Sequence, residues 1–296
     1  MLKQRIITAL VLLPLAMALL FYPGLEVFSL ILIPIFVIIG WEWSRLLQTN
    51  MIIKSLFIAF VIASLCGTFY WLNQREFFDY PVIPTNWTEI HPFKLLIVSI
   101  MAWVVAFVLI LLYPKVGRVW LRGPWVRALF GLVFLVSAWL AVVLIRSTDI
   151  VQDHYYGGWL LLLMFVVIWG ADVGAYAFGK TMGKRKLAPV VSPNKTWEGA
   201  MGGLITATVL STIAAFFIGL SFSLAWFVLL ALVLVVVSVI GDLFESMLKR
   251  QAGIKDSSQI LPGHGGLLDR LDSTLSVAPF FIVALLIFKH GLSLNL

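Results

Sequence analysis

The sequence predicts an all-α fold, a polytopic integral membrane protein with about nine transmembrane helices, and three observations lead there. Hydrophobic residues make up 61% of the 296 and charged residues 12%, with a mean hydropathy of +1.04. Soluble domains run at about 45–50% apolar and about 25% charged, so this chain has too few polar side chains to cover a water-facing surface. The apolar residues come in repeated runs of about twenty with almost no charge, the length that carries a helix through about 30 Å of hydrocarbon. The runs are continuous rather than alternating, which selects helices over a β-barrel.

In chain order the candidate spans cover 6–22, 27–41, 52–71, 95–113, 128–145, 159–178, 200–220, 224–240 and 274–288. The first follows Lys3 and Arg5 in the manner of a secretory signal. Another apolar run comes directly after Pro23 and Gly24, so it reads as a retained helix. The second is short for a crossing, and the second and third are candidates for tilted or re-entrant segments. Cys66, the only cysteine, lies among Ala, Ser and Leu in the third run and reads as inert core; alone it offers neither a disulfide nor a cysteine metal cluster. The stretch 72–92, rich in Tyr, Phe, Trp and Pro, reads as an interfacial outer loop.

Basic residues gather on alternate loops. Lys3 and Arg5 precede the first span, Arg45 follows the second, and Lys115, Arg118 and Arg122 follow the fourth, with Arg127 at the next boundary. After the sixth come Lys180, Lys184, Arg185, Lys186 and Lys195 against one acid, Glu198. The opposite loops are poorer in base: 23–26 has none, and Arg75, Glu76, Asp79, Glu89 and Lys94 nearly cancel. Positive residues accumulate on the cytoplasmic side, so the amino terminus and the basic loops are expected inside, in a bacterial inner membrane, with the carboxyl terminus outside. Loops facing anionic lipid account for the net charge of +7, and no nucleic acid is expected as a partner. The chain divides into a scaffold, 1–158, and a polar catalytic membrane region, 159–296.

Acids inside apolar runs are costly and point to function. Asp172 stands late in the sixth run, with Tyr176 on the same helical face, and Gly170, Gly174 and Gly179 permit close packing of helix or ligand. The segment 179–199 is glycine- and lysine-rich but lacks the order of an ATPase phosphate loop. Within it Pro193 stops a helix, Lys195 offers a cation to phosphate, and Ser192 and Thr196 offer hydroxyls; Ser192-Pro-Asn-Lys is also a plausible helix start. In 241–273, Asp242 and Glu245 share one helical face, as do Asp269 and Asp272. Such carboxylates suit magnesium, while Lys249, Arg250, Lys255 and Arg270 supply a field for polyphosphate. Gly263, Gly265 and Gly266 allow backbone conformations closed to other residues and can turn N–H groups toward phosphate. His264 can donate to substrate, transfer a proton or brace the loop, and Asp256 reads as a loop-organising acid.

Read together, Ser246-Met-Leu-Lys-Arg250, Lys255-Asp256, Leu261-Pro-Gly-His-Gly-Gly266 and Asp269-Arg-Leu-Asp272 resemble the bacterial phosphatidate cytidylyltransferases, or CDP-diacylglycerol synthases. Gly170-Ala-Asp-Val-Gly-Ala-Tyr176, Ser192-Pro-Asn-Lys-Thr-Trp-Glu-Gly199 and Gly241-Asp242 resemble further blocks of that family. Val173 departs from the Ser or Thr often found beside the acid, and Asn194 occupies a variable place. The resemblance implies condensation of CTP with phosphatidate to CDP-diacylglycerol and pyrophosphate, with Mg2+ as cofactor, on membrane phospholipid, by a homodimer. It implies Asp242 and Asp269 as metal ligands, with Asp172, Glu245 and Asp272 as ligands or orienters. Lys195, Lys249, Arg250 and Arg270 would neutralise phosphates, while Ser192, Thr196 and Ser246 donate hydrogen bonds. A transporter coupling ions through Asp172 and a lipid scaffold are the alternatives from other classes.

Overall fold

The structure is a computed structural model that describes residues 2–81, 93–115, 123–219 and 224–293, with backbone only for 2–7, 9 and 289–293. Among the described residues there are nine helices: α1 Leu2–Phe21, α2 Leu25–Leu46, α3 Met51–Gln74, α4 Lys94–Leu111, α5 Pro124–Ser147, α6 Tyr156–Met182, α7 Trp197–Ile218, α8 Leu224–Ala252 and α9 Leu268–Ser293. A two-stranded antiparallel hairpin, β1 Lys186–Ala188 and β2 Ser192–Thr196, joins α6 to α7. Eight helices, α2 to α9, are long and apolar enough to cross a membrane, and the described apolar part of α1, Leu10–Phe21, is shorter. The fold is therefore all-α and polytopic, as the composition predicts.

Local chemistry explains the boundaries. Asn50 caps α3 by accepting from the Ile53 N–H at 3.0 Å, α5 begins with Pro124 after Gly123, and α7 ends at Gly219 with φ +73°, the left-handed cap that glycine adopts most easily. Three expectations are corrected. The second span, expected to be short, is a helix of 22 residues, because the flanking Glu42, Trp43 and Leu46 turn inward and extend α2, and the third is one of 24; both are long enough to cross. The eighth span continues twelve residues past Ile240, because Leu243, Phe244, Met247 and Leu248 keep one face apolar; Phe244 packs edge-on against Trp103 and Phe134. Cys66 is exposed on the apolar surface of α3 rather than in the core. Arg118, Arg122, Glu89 and the outer-loop residues 82–92 lie outside the described residues.

The core is arranged around α5, in which every residue from Phe134 to Ser147 is buried. It packs against α2, α3, α4, α6 and α9. Large apolar side chains elsewhere face outward, Phe216 at 82% exposure among them, as suits helices surrounded by lipid rather than water. The two ends of the bundle are fastened differently. At one, Arg146 is fully buried and donates to the carbonyls of His154 and Pro23 at 2.8 and 3.4 Å. At the other, Arg127 donates to Leu46 O at 2.7 Å, Arg45 to Ser257 O at 2.5 Å and Thr8 to Pro262 O at 3.2 Å. These contacts collect the ends of α1, α2 and α5 and the loop between α8 and α9 at one face.

The closest helix pair is α6 and α7. A Cβ placed on Gly174 would lie 2.7 Å from Gly202 O, and one on Gly203 would lie 2.6 Å from Ala171 O, so the backbones approach where side chains are missing. Gly174→Val is accordingly expected to lower stability by about 1–3 kcal/mol through overpacking. A lowered thermal midpoint in detergent checks this, against an unchanged midpoint for a valine at the open position Gly67, where nothing lies within 4 Å.

Candidate active site

A cavity of about 350 Å³ is lined by residues of α6, the hairpin, α7 and α8. Ala171, Ala175, Leu187 and Val239 give it an apolar side, and Asp172, Ser192, Lys195 and Asp242 a polar one. Asp172 and Tyr176 both line it, as their spacing of four predicts. Val173 points away at 63% exposure, so a hydroxyl at that position would not face the cavity.

The hairpin delivers Lys195. Its strands pair Lys186 with Thr196 and Ala188 with Ser192, so Ser192-Pro-Asn-Lys is a strand and not the helix start that its composition allows. Thr196 is the cap of α7, its hydroxyl accepting from Gly199 N at 3.1 Å; the hydroxyl proton remains to donate. Glu198 accepts from the backbone N–H groups of Lys184 and Arg185 at 3.0 and 3.1 Å and folds the basic turn back on the helix. Held this way, Lys195 donates to Asp242 Oδ2 at 2.5 Å, while Ser246 donates to Asp242 Oδ1 at 3.2 Å.

A second cluster lies beside the first. Lys249 Nζ sits 2.8 Å from both Glu245 Oε2 and Asp269 Oδ1. Asp269 also accepts from Gly266 N at 2.8 Å and from Ser257 N and Oγ at 3.0 Å each. The Gly266 N–H thus points into the fold, at Asp269. Gly263 and Gly265 have φ of +77° and +83°, as a glycine-rich bend requires. His264 lends its carbonyl to Arg270, which donates through Nε at 3.0 Å and Nη2 at 2.8 Å. Arg250 donates to Val191 O in the hairpin turn at 3.3 Å. Lys255 and Asp256 lie apart from the cavity, at a more open recess with Arg45 and Ser258.

The clusters are electrically continuous. Asp172 feels Asp242, Lys195 and Arg270; Asp272 feels Asp242, Lys195 and Lys249; Glu245 feels Asp272, Lys249 and Asp269. Asp242 and Asp269, the two acids expected as metal ligands, each have a lysine of their own. Among the described residues no group of three His, Cys, Asp or Glu forms a ready-made metal cage. Magnesium nevertheless fits. Asp172 and Asp242 line one cavity, Glu245 Oε1 is buried without a hydrogen-bond partner, and this ion is commonly held by one or two carboxylates plus substrate phosphates and water.

The sequence pattern of the cytidylyltransferase family matches this chain over residues 3–288. The chain belongs to that family. It is 38% identical to the phosphatidate cytidylyltransferase of Haemophilus influenzae over 95% of its own length and 97% of the relative's. To the phosphatidate cytidylyltransferase of Pseudomonas aeruginosa it is 40% identical over 96% and 97%. The match to the Bacillus subtilis enzyme of that name is 43% over 54% of the chain. The resemblance read from the polar blocks is upheld, and this cytidylyltransferase is a multi-pass membrane enzyme of phospholipid biosynthesis.

One site residue of this cytidylyltransferase is absent from the expectations drawn from its sequence. Glu42, on α2, is fully buried and accepts from Leu267 N at 3.0 Å and Leu268 N at 2.5 Å. An acid closing an apolar run was the available signal; its partners lie more than 200 residues away. The Lys249 cluster makes a direct prediction. Lys249→Met leaves Glu245 and Asp269 facing each other without a cation and is expected to destabilise by about 3–5 kcal/mol. Adding Glu245→Gln should recover part of that loss in a thermal or denaturant titration of the purified enzyme.

Proposed function

We propose that this enzyme condenses CTP with phosphatidate, giving CDP-diacylglycerol and pyrophosphate, at the cavity between α6, the hairpin, α7 and α8. The observation that carries the reading is the match over nearly the whole chain to relatives named phosphatidate cytidylyltransferase. The cavity suits the chemistry. Its apolar wall can take the glycerol end of a lipid while Lys195, Ser192 and the Thr196 hydroxyl face phosphate oxygens.

In the reaction the lipid phosphate oxygen attacks the α phosphorus of CTP, a bond to the α phosphorus forms as the bond to the bridging oxygen breaks, and pyrophosphate leaves with that electron pair. The attacking group is already ionised, so no general base is required. The difficulty is bringing two anions together, and Lys195 reduces it by moving from Asp242 onto phosphate. Asp242 and Asp172 would then hold magnesium, with Asp269 as a further ligand when Lys249 releases it. Magnesium there supplies charge neutralisation on CTP and polarises the α phosphorus. Ser246 keeps Asp242 oriented.

The face that carries the cavity also carries Lys195, Arg250 and the basic turn at Lys184 and Arg185, which supports placing it at the cytoplasmic side of a bacterial inner membrane. CTP then arrives through water and phosphatidate through the bilayer without extraction. A homodimer is the assembly we propose, in keeping with the resemblance.

Purified enzyme given CTP, phosphatidate and magnesium should form CDP-diacylglycerol and pyrophosphate in equal amounts, and chelation of divalent ions should abolish both. Asp242→Asn is expected to cut turnover by about 100-fold or more with the fold retained, since it removes a ligand charge and the Lys195 partner together. Absence of both products from a monodisperse wild-type sample would reject the reading.

A further inference from the structure

The loop between α8 and α9 is gripped from outside the polar half of the chain. Residues 253–267 contain no helix; a bridge between Leu261 and Gly265 shapes the bend from within, and α2 adds a restraint from outside. Glu42 accepts there with both oxygens. Oε1 takes the Leu267 N–H at 3.0 Å and the Ser258 hydroxyl, while Oε2 takes the Leu268 N–H at 2.5 Å and lies 3.4 Å from the Ser257 hydroxyl, whose single proton it shares in alternation with Asp269. Leu267 and Leu268 stand at the start of α9, where N–H groups have no partner inside the helix and a negative charge is favoured. One turn along α2, Arg45 donates to Ser257 O at 2.5 Å.

Ser257 is therefore held at every polar atom. Its N–H goes to Asp269, its carbonyl accepts from Arg45, and its hydroxyl lies between Asp269 Oδ2 at 3.0 Å and Glu42 Oε2. From Asp269 the chain of contacts continues through Lys249 to Glu245. A buried polar chain thus runs from α2 to the acids of α8. Gly266 closes it tightly, for a Cβ there would lie 2.6 Å from Glu42 Oε1.

We infer that Glu42, acting through Ser257, is a positioning residue for the transfer reaction, setting where Asp269 and Lys249 stand. This rests on the proposed cytidylyl transfer. Glu42, Ser257, Lys249 and Asp269 are all absent from the cavity wall that would receive the substrates. Disturbing the clamp should therefore alter the step in which charge is redistributed and leave ground-state binding alone, so turnover falls while KM holds.

Glu42→Gln is the incisive change, because each carboxylate oxygen faces a backbone N–H and the amide must turn an NH2 toward one of them. On monodisperse protein of measured folded fraction, kcat should drop by about 10–100-fold with KM for CTP within about twofold. Ser257→Ala, which cuts the link but leaves Glu42 its backbone partners, should also lower kcat by at least about tenfold, and the double variant should be no slower than the slower single one. Hydrogen exchange should show segment 254–268 loosened in Glu42→Gln while the helices elsewhere keep their protection. Turnover of either single variant within twofold of wild type, or multiplied losses in the double variant, overturns the inference. Should Glu42→Gln fail to fold, Ser257→Ala decides by the same criterion. Should the wild type make no CDP-diacylglycerol, the transfer reading fails, and exchange in 254–268 decides the clamp separately: loosening upholds it and unchanged protection overturns it.

Discussion

The ammonium of Lys249, held between Glu245 and Asp269, is the contact on which the rest of the polar end depends. It joins two turns of α8 to the first turn of α9, and through Asp269 it reaches Gly266 and Ser257 in the loop between them. Taking such charges out of water costs several kcal/mol each, and the cost is offset only when every charge keeps a partner at short range. The geometry meets that demand for Lys249 and for Asp269. It leaves Glu245 Oε1 without a hydrogen-bond partner.

The bilayer sets the second condition. Helices satisfy their own backbone in lipid, so the spans need little from one another beyond fit. Polar devices consequently collect at the ends, with Arg146, His154 and Pro23 at one and Glu42, Arg45, Arg127 and the two lysine clusters at the other. The close glycine contacts of α6 and α7 connect these regimes. They bring Asp172 of α6 and Lys195 of the hairpin to one cavity. Placement of these side chains follows from apolar packing, and Glu42 extends it, since α2 holds the start of α9.

Much of this was legible. The apolar runs marked the spans, because membrane insertion depends on composition over about twenty residues and on little else. The spacing of Asp172 and Tyr176 put both on one face, and both line the cavity. Small residues at 170 and 174 announced a tight helix contact. The helix ends were less legible. Residues past Ile240 look polar in a row of one-letter codes, yet every third or fourth is apolar and buried, so α8 continues. Ser192 to Thr196 has a helix-starting composition and forms a strand because Lys186 and Ala188 lie beside it.

By itself the sequence determined that the chain crosses a membrane as helices, that its polar blocks belong to one enzyme family, and which acids and bases are available to the chemistry. These follow from composition and short-range order. Tertiary structure alone decided the long-range pairing: Lys195 with Asp242, Lys249 with Asp269, and Glu42 with residues more than 200 positions away. The reason is physical. A charge selects its partner by distance and direction within a few ångströms, and those are set by how closely the helices approach, which no local stretch of sequence encodes.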